Sequence, residues 1–117
     1  MTNICKEIED GLNEVFEDKS EIAWIGSRNG AYAMGADEFF DRFKGLEYDS
    51  GFGGQEVADD LVVVLNDGSW LERREYDGSE WFEYFNQPKL TLRPKRFFKI
   101  TGGAWESLEK MNEGTQE

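Results

Sequence analysis

The chain has 117 residues, with 25 acidic and 13 basic side chains, a net charge of −12 and no histidine. Without histidine, the imidazole base of the common hydrolytic relays and the usual zinc site are excluded. The N-terminus is acidic rather than signal-like, and no apolar run approaches the roughly 20 residues of a membrane span, so we expect a soluble, cytoplasmic protein with no membrane partner.

The length predicts a single domain over residues 1–117, with a frayed tail over residues 113–117. An aromatic content of 15% argues against disorder, because disordered acidic chains are poor in aromatic residues. Cys5 is the single cysteine, so no internal disulfide can form. We interpret Cys5 as a packed, inert thiol in a reducing compartment.

The first predicted element is an amphipathic helix over residues 3–17, capped by Thr2 or Asn3. Its apolar residues recur at three- and four-residue spacing and therefore share one face: Ile4, Ile8, Leu12, Val15 and Phe16. Residues 21–26 and 31–35 follow and are predicted to pair as a hairpin.

The dipeptide Asn29-Gly30 between those two runs suits the positive φ values of a tight turn. A short helix is predicted over residues 36–44, with Asp37 as its cap and Gly45 as its stop. Residues 46–55 are predicted to form a glycine-rich loop.

The best-specified region is a three-stranded meander over residues 61–65, 70–76 and 80–85. Its two connections contain Asp67-Gly68 and Asp77-Gly78, which are strong hairpin signals. If both turns are two-residue loops, Val64 opposes Leu71, Leu71 opposes Tyr84 and Arg74 lies beside Trp81. This register places one apolar set on one face: Val62, Val64, Leu71, Phe82 and Tyr84. It places another on the opposite face: Leu61, Val63, Leu65, Trp70, Trp81 and Phe85.

Residues 89–100 are predicted to supply an edge strand, because Pro88 and Pro94 cannot donate to a central ladder. A last short helix is predicted over residues 105–111. The fold class predicted is α+β: an antiparallel sheet of four to five strands with a central meander, and two or three helices packed on it.

Five bases and no acid lie within residues 89–99, here named the basic segment: Lys89, Arg93, Lys95, Arg96 and Lys99. The rest of the chain therefore carries −17. Phe97 and Phe98 interleave with the bases, as in some strands that bind nucleic acid. Because the chain as a whole is acidic, we instead interpret the segment as neutralising acids on neighbouring strands.

The sequence carries no signature of an enzyme, a cofactor site or a metal site. Adjacent carboxylates such as Asp59-Asp60 are expected by chance among 25 acids. The glycines at 51, 53 and 54 lack the lysine and the strand–turn–helix context of a phosphate loop. We therefore predict no catalytic residue, no cofactor and no metal ligand.

A small, acidic α+β chain without catalytic residues resembles the phage- and prophage-encoded inhibitors of bacterial defence, anti-CRISPR proteins and DNA mimics among them. The segment WLERREYDGSEWFEYF, residues 70–85, is similar to hairpins of small phage-encoded proteins. The resemblance implies an acidic inhibitor, in the cytoplasm of a bacterial host, that occupies the nucleic-acid surface of a defence complex or nuclease. The alternative is an immunity or accessory protein that binds one basic partner without DNA mimicry.

The expected partner is a basic nucleic-acid-binding protein, with no direct nucleic-acid contact, because −12 exceeds the usual charge of a small soluble domain. The predicted partner-binding residues are acids of the glycine-rich loop, its flanks and the second hairpin tip: Glu47, Asp49, Glu56, Asp59, Asp60, Glu75, Asp77 and Glu80.

Overall fold

A computed structural model describes residues 1–51 and 54–114 of the chain. Gly53 of the predicted glycine-rich loop and residues 115–117 of the predicted tail lie outside the described residues. The chain divides into two compact units, Met1–Gln87 and Pro88–Glu117. That residues 1–117 form one domain stays a prediction.

Among its described residues, the first unit has two helices, α1 (Ile4–Glu14) and α2 (Ala36–Phe43), and a 3₁₀ turn at Lys19–Glu21. Its strands are β1 (Thr2–Asn3), β2 (Ile22–Ser27), β3 (Ala33–Met34), β4 (Glu47–Tyr48), β5 (Leu61–Leu65), β6 (Trp70–Tyr76) and β7 (Ser79–Phe85). A five-stranded antiparallel sheet has the order β3-β2-β5-β6-β7, and β1 pairs with β4 in a separate two-stranded sheet. The predicted α+β class is confirmed.

Both predicted helices of this unit form, with different ends. Asn3 caps α1 by accepting a hydrogen bond from the Lys6 N–H at 3.0 Å. Gly35, rather than Asp37, is the N-cap residue of α2, and no side chain of the described residues caps the N-terminus of that helix. The prediction that Phe16 shares the apolar face of the first helix is wrong: it follows the end of α1 with a φ of 62° and is exposed. The Phe16 and Glu17 N–H groups donate back to the carbonyls of Asn13 and Leu12, which closes the helix and turns Phe16 outward.

The two turns of the meander differ in length, and this difference changes its register. Asp77 and Gly78 have φ values of 53° and 86°, so they form the predicted two-residue turn and pair Leu71 with Tyr84. The first turn has three residues, because the Leu65 N–H donates to the Ser69 carbonyl and Gly68 has a φ of 89°. The extra residue places Val63, not Val64, opposite Leu71.

The one-residue shift also changes which strand residues share a face. The predicted faces are wrong for β5: Val63 and Leu71 lie on one face, and Val64 and Trp70 lie on the other. Strand residues of the first face pack with α1 and α2 in the core: Ile25, Val63, Leu65 and Leu71 with Ile4, Ile8, Leu12 and Phe39. On the second face, the Trp70 and Phe85 rings stack with their centroids 5.7 Å apart.

One glycine permits close packing of the backbone in this unit. A Cβ on Gly26 would overlap the carbonyl oxygen of Tyr32, so glycine is required where the β2–β3 hairpin closes. A Cβ on Gly11 would lie 3.4 Å from a Leu71 methyl group, which is an ordinary van der Waals distance, so α1 does not depend on glycine at this position.

The described part of the second unit, residues 88–114, contains one short helix, α3 (Leu108–Met111), with Ser107 as its cap. The prediction of an edge strand over residues 89–100 is wrong, because none of these residues is in a strand. Asn112 organises the end of the basic segment instead. Its side-chain oxygen accepts from the Phe98 and Lys99 N–H groups at 2.8 and 3.0 Å, and its amide donates to the Lys99 carbonyl at 3.0 Å.

Within the described residues, no helix has both the length and the apolar character needed to cross a membrane.

We expect Leu71→Ala to lower the free energy of unfolding by about 2–5 kcal/mol, because a fully buried leucine leaves a cavity when truncated. Leu71 is only 1% exposed and contacts the core beneath α1. The matched control is Leu92→Ala, at an exposed leucine of the second unit. Denaturant unfolding of both variants measures the difference, and equal losses for the two would contradict the burial of Leu71.

Candidate functional site

A buried arginine on β6 contacts side chains from three other elements of the first unit: β7, α1 and β4. The side chains of Arg73 on β6 and Glu80 on β7 are each 0% exposed and form an ion pair. Arg73 also donates to the Glu7 carboxylate on α1 at 3.1 Å and to the Tyr48 hydroxyl on β4 at 3.0 Å. We name Arg73, Glu80, Glu7 and Tyr48 the Arg73 cluster.

The remaining bonds of the Arg73 cluster satisfy most of its polar atoms. The Tyr48 hydroxyl donates to the Glu7 carboxylate at 2.6 Å, and the guanidinium lies 4.5 Å from the Phe82 ring centroid. Among the described residues, the Nε of Arg73 is the buried side-chain polar atom that lacks a hydrogen-bond partner. The cluster therefore holds one cation between two carboxylates with little access to water.

The cluster changes the acidity of its tyrosine and its arginine. Burial raises the pKa of the Tyr48 hydroxyl, and its bond to the Glu7 carboxylate raises it further, against the opposing effect of Arg73. Burial lowers the pKa of the Arg73 guanidinium, but the bonds to Tyr48 and Glu80 and the charge of Glu7 outweigh it and raise that pKa overall. Both groups therefore stay protonated at neutral pH.

Glu80 connects the Arg73 cluster to the segment that precedes β5. Its carboxylate accepts hydrogen bonds from the backbone N–H groups of Glu56 and Val57 at 2.6 and 3.2 Å. Its own N–H donates to the Ser50 carbonyl at 2.9 Å. Glu80 thus holds two parts of the connection between β4 and β5, Ser50 through its backbone N–H and residues 56 and 57 through its side chain.

An apolar groove of about 620 Å³ lies beside this connection. We name it the α2 groove. Its floor is made of buried side chains from four elements, Ile4, Ile25, Phe39 and Tyr48, and exposed Tyr32 and Leu46 also line it. The charged side chains among the described residues that line it are all acidic: Glu47, Glu56 and Asp60. Tyr48 is shared between the groove floor and the Arg73 cluster.

The structure separates the residues predicted to bind a partner into three groups. Glu47, Glu56 and Asp60 meet at the α2 groove, although Glu56 also accepts a hydrogen bond from the Asp49 N–H at 3.0 Å. Asp49 and Asp59 are exposed. At the hairpin tip Glu75 and Asp77 are exposed, and Glu75 accepts from the Gly78 N–H at 2.9 Å. A partner-binding role for these seven residues stays a prediction.

The placement of Glu80 on a partner-facing surface is wrong. Its carboxylate is enclosed by Arg73 and by two backbone donors, so it cannot reach a partner. The position of Arg73 in the sequence could have indicated the burial of Glu80. Arg73 lies two residues after Leu71 and therefore points to the same, inner face of β6. A buried base at that position requires a buried acid nearby.

The predicted contact between Arg74 and Trp81 is only partly present. The two residues are directly opposite in the register, as predicted. The guanidinium of Arg74, however, lies 4.9 Å from the Phe85 ring centroid and forms an ion pair with Glu83 at 2.9 Å. The carboxylate and the neighbouring ring draw the side chain away from Trp81.

Cys5 is buried, and burial raises the pKa of its thiol, with the charge of Glu9 acting in the same direction. The thiol is therefore protonated and a poor nucleophile at neutral pH. In the described part of the chain, no group of three or more histidine, cysteine, aspartate or glutamate side chains could hold a metal ion.

The basic segment is exposed along its whole length in the second unit. Within the described part of that unit, the ion pair that forms is Lys110 with Glu113, and it involves none of the five bases of the segment. Phe97 and Phe98 are each 56% exposed. The interpretation that this segment neutralises acids from within a sheet is wrong, since it forms no strand and its bases project from an irregular backbone.

In sequence, the chain is 28% identical over 102 residues to a protein of Fervidobacterium nodosum named a probable transcriptional regulatory protein. The match covers 86% of this chain and 40% of that protein, so the chain spans well under half of the relative's length. No protein-family model and no solved structure matches the chain.

The similarity to a regulatory protein overturns the predicted resemblance to phage-encoded defence inhibitors. The prediction of an anti-CRISPR or DNA-mimic inhibitor is therefore wrong, and so is its alternative of an immunity or accessory protein. The physical reason is that small size and acidity govern solubility and long-range electrostatics, which proteins of many functions share.

We expect Glu80→Ala to lower the free energy of unfolding by about 3–5 kcal/mol, because removing one partner of a buried ion pair leaves a buried charge inadequately compensated. The control is Asp59→Ala, at an exposed acid of the connection between β4 and β5 that Glu80 holds. Chemical denaturation compares the two variants. A loss below about 1 kcal/mol for Glu80→Ala would show that the pair is accessible to water.

We expect the free energy of unfolding to fall above about pH 10 in a way that depends on Tyr48. The folded pKa lies above the unfolded one, so over this range the folded chain keeps a proton that the unfolded chain releases. The free energy of unfolding of Tyr48→Phe should decline less steeply with pH than that of the native chain. The control Tyr32→Phe, at an exposed tyrosine, should decline as steeply as the native chain. Denaturant unfolding near neutral pH and at about pH 10.5 measures the slopes. Parallel slopes for all three proteins would contradict the burial of the hydroxyl.

Proposed function

We propose that this chain acts in the regulation of transcription and contacts single-stranded nucleic acid through the basic segment. The observation that carries the proposal is the exposure of five bases together with Phe97 and Phe98 in a segment that contains no acid. Bases attract phosphates, and exposed aromatic rings stack on unpaired bases. The name of the Fervidobacterium nodosum relative supports the regulatory part of the proposal.

The distribution of charge supports a nucleic-acid contact confined to the second unit. The first unit has 21 acids and 7 bases, a net charge of −14, and the second has 4 acids and 6 bases, a net charge of +2. Phosphates are repelled by the first surface and attracted by the basic segment. The expectation of no direct nucleic-acid contact came from the average charge, which conceals this division.

The conformation of the segment favours single strands over duplexes. An α-helix or a two-stranded ribbon is the usual means of entering the major groove, and the basic segment forms neither. An irregular backbone with interleaved rings suits an unpaired strand, whose bases are free to stack. We propose that the chain is not an enzyme and needs no cofactor for this contact.

We expect a labelled single-stranded oligonucleotide to bind the chain with an association constant K that falls strongly as salt is added. If all five bases contact phosphates, the slope of log K against log salt concentration should be about −3.5. Arg93→Gln/Lys95→Gln/Arg96→Gln should weaken binding and reduce that slope by about 2. Fluorescence anisotropy over a salt series measures both quantities.

The control variant is Lys6→Gln/Arg42→Gln/Lys44→Gln, which removes the same charge from exposed bases of the first unit. It should keep the native slope. Equal weakening of the two triple variants would show that only net charge matters and would contradict a site on the basic segment. Phe97→Ala/Phe98→Ala tests stacking, because it should weaken binding at every salt concentration without changing the slope.

A further inference from the structure

We propose that the α2 groove binds a small organic cation with an apolar body, such as an aryl or alkyl amine. This inference concerns the first unit and is independent of the proposed nucleic-acid contact in the second. It rests on the size of the groove, on its apolar floor and on the sign of the charges that line it.

The size of the groove fits a small molecule. Its volume is about 620 Å³, and ligand sites for small molecules occupy roughly 300–1,000 Å³. The floor is built from Ile4, Ile25, Phe39 and Tyr48, all of which are buried. An apolar ligand body placed there would cover surface that is otherwise in contact with water at the edges of Tyr32 and Leu46.

The charges that line the groove select the ligand by its sign. Glu47, Glu56 and Asp60 contribute carboxylates, and no lysine or arginine occurs among the described residues that line the groove. Within the described chain, neither the Glu47 nor the Asp60 carboxylate forms an ion pair with any base. An ammonium group at the margin would compensate these charges, whereas a ligand carboxylate would be repelled.

The groove is formed in advance of binding by the Arg73 cluster. Glu80 fixes the backbone N–H groups of Glu56 and Val57, two residues that line the groove, and Arg73 fixes the hydroxyl of Tyr48, a third lining residue. A ligand therefore does not have to order this wall when it binds, and a preformed site loses less entropy on binding.

Three probes with one apolar body and different head groups test the proposal: phenylbutylamine, phenylbutanol and phenylbutyrate. The backbone amide signals of groove residues, followed by ¹H–¹⁵N NMR in a titration of the full chain, report each affinity. We expect the amine to bind about tenfold or more tighter than the carboxylate, with the alcohol between them. Equal affinities for the amine and the carboxylate, or no binding by any probe, would overturn the proposal.

Two matched double variants locate the selectivity. Glu47→Gln/Asp60→Asn removes two of the three charges at the groove and should lower the affinity for the amine toward that for the alcohol, while the affinity for the alcohol stays unchanged. Glu75→Gln/Asp77→Asn removes two charges at the hairpin tip and should leave all three affinities unchanged. If both variants lowered the affinity for the amine equally, the selectivity would come from net charge, and the groove would not be its source.

A third variant tests the apolar part of the site. Ala58 is exposed and lines the groove, so Ala58→Trp should fill part of it without disturbing the core. Binding of all three probes should then weaken, including the uncharged alcohol, while the unfolding curve stays close to that of the native chain. Unchanged probe binding in a folded Ala58→Trp protein would place the probes elsewhere and would overturn the assignment.

Discussion

The ion pair between Arg73 and Glu80 is the interaction on which the arrangement of the first unit depends. Removing two charges from water is costly unless their hydrogen bonds are satisfied, and here nearly all of them are. The bonds reach α1 through Glu7, β4 through Tyr48, and the connection before β5 through Glu56 and Val57. A purely apolar core could fill the same volume, but it would not fix these backbone positions.

The same pair links the fold to the α2 groove. By holding the connection before β5, it keeps one wall of the α2 groove in place, and Tyr48 serves the cluster and the groove floor together. The first unit has a net charge of −14, which repels phosphate, while the five bases of the basic segment lie in the second unit. This division of charge allows a nucleic-acid contact and a cation site to exist on one acidic chain without sharing residues.

Much of the fold followed from local signals, and the errors have identifiable causes. Apolar spacing predicted α1, and Asp77-Gly78 predicted the pairing of Leu71 with Tyr84. Asn66-Asp67-Gly68 admits either a two- or a three-residue turn, and only the tertiary structure selects the longer one. Arg73 was missed because a charged residue is expected at the surface, although its two-residue spacing from Leu71 placed it inward. Charge composition alone could not indicate function, since it depends on the whole surface and not on a site.

The most direct test of the central role of the pair is hydrogen exchange at individual backbone amides in Arg73→Met, which keeps much of the buried volume but removes the charge. The Glu56 and Val57 amides donate to Glu80, so we predict that both lose protection in the variant. The Val63 amide, in the middle of the sheet, should keep most of its protection. If the Glu56 and Val57 amides exchanged as slowly as in the native chain, or if all three amides lost protection in parallel, the pair would not be what holds the connection in place.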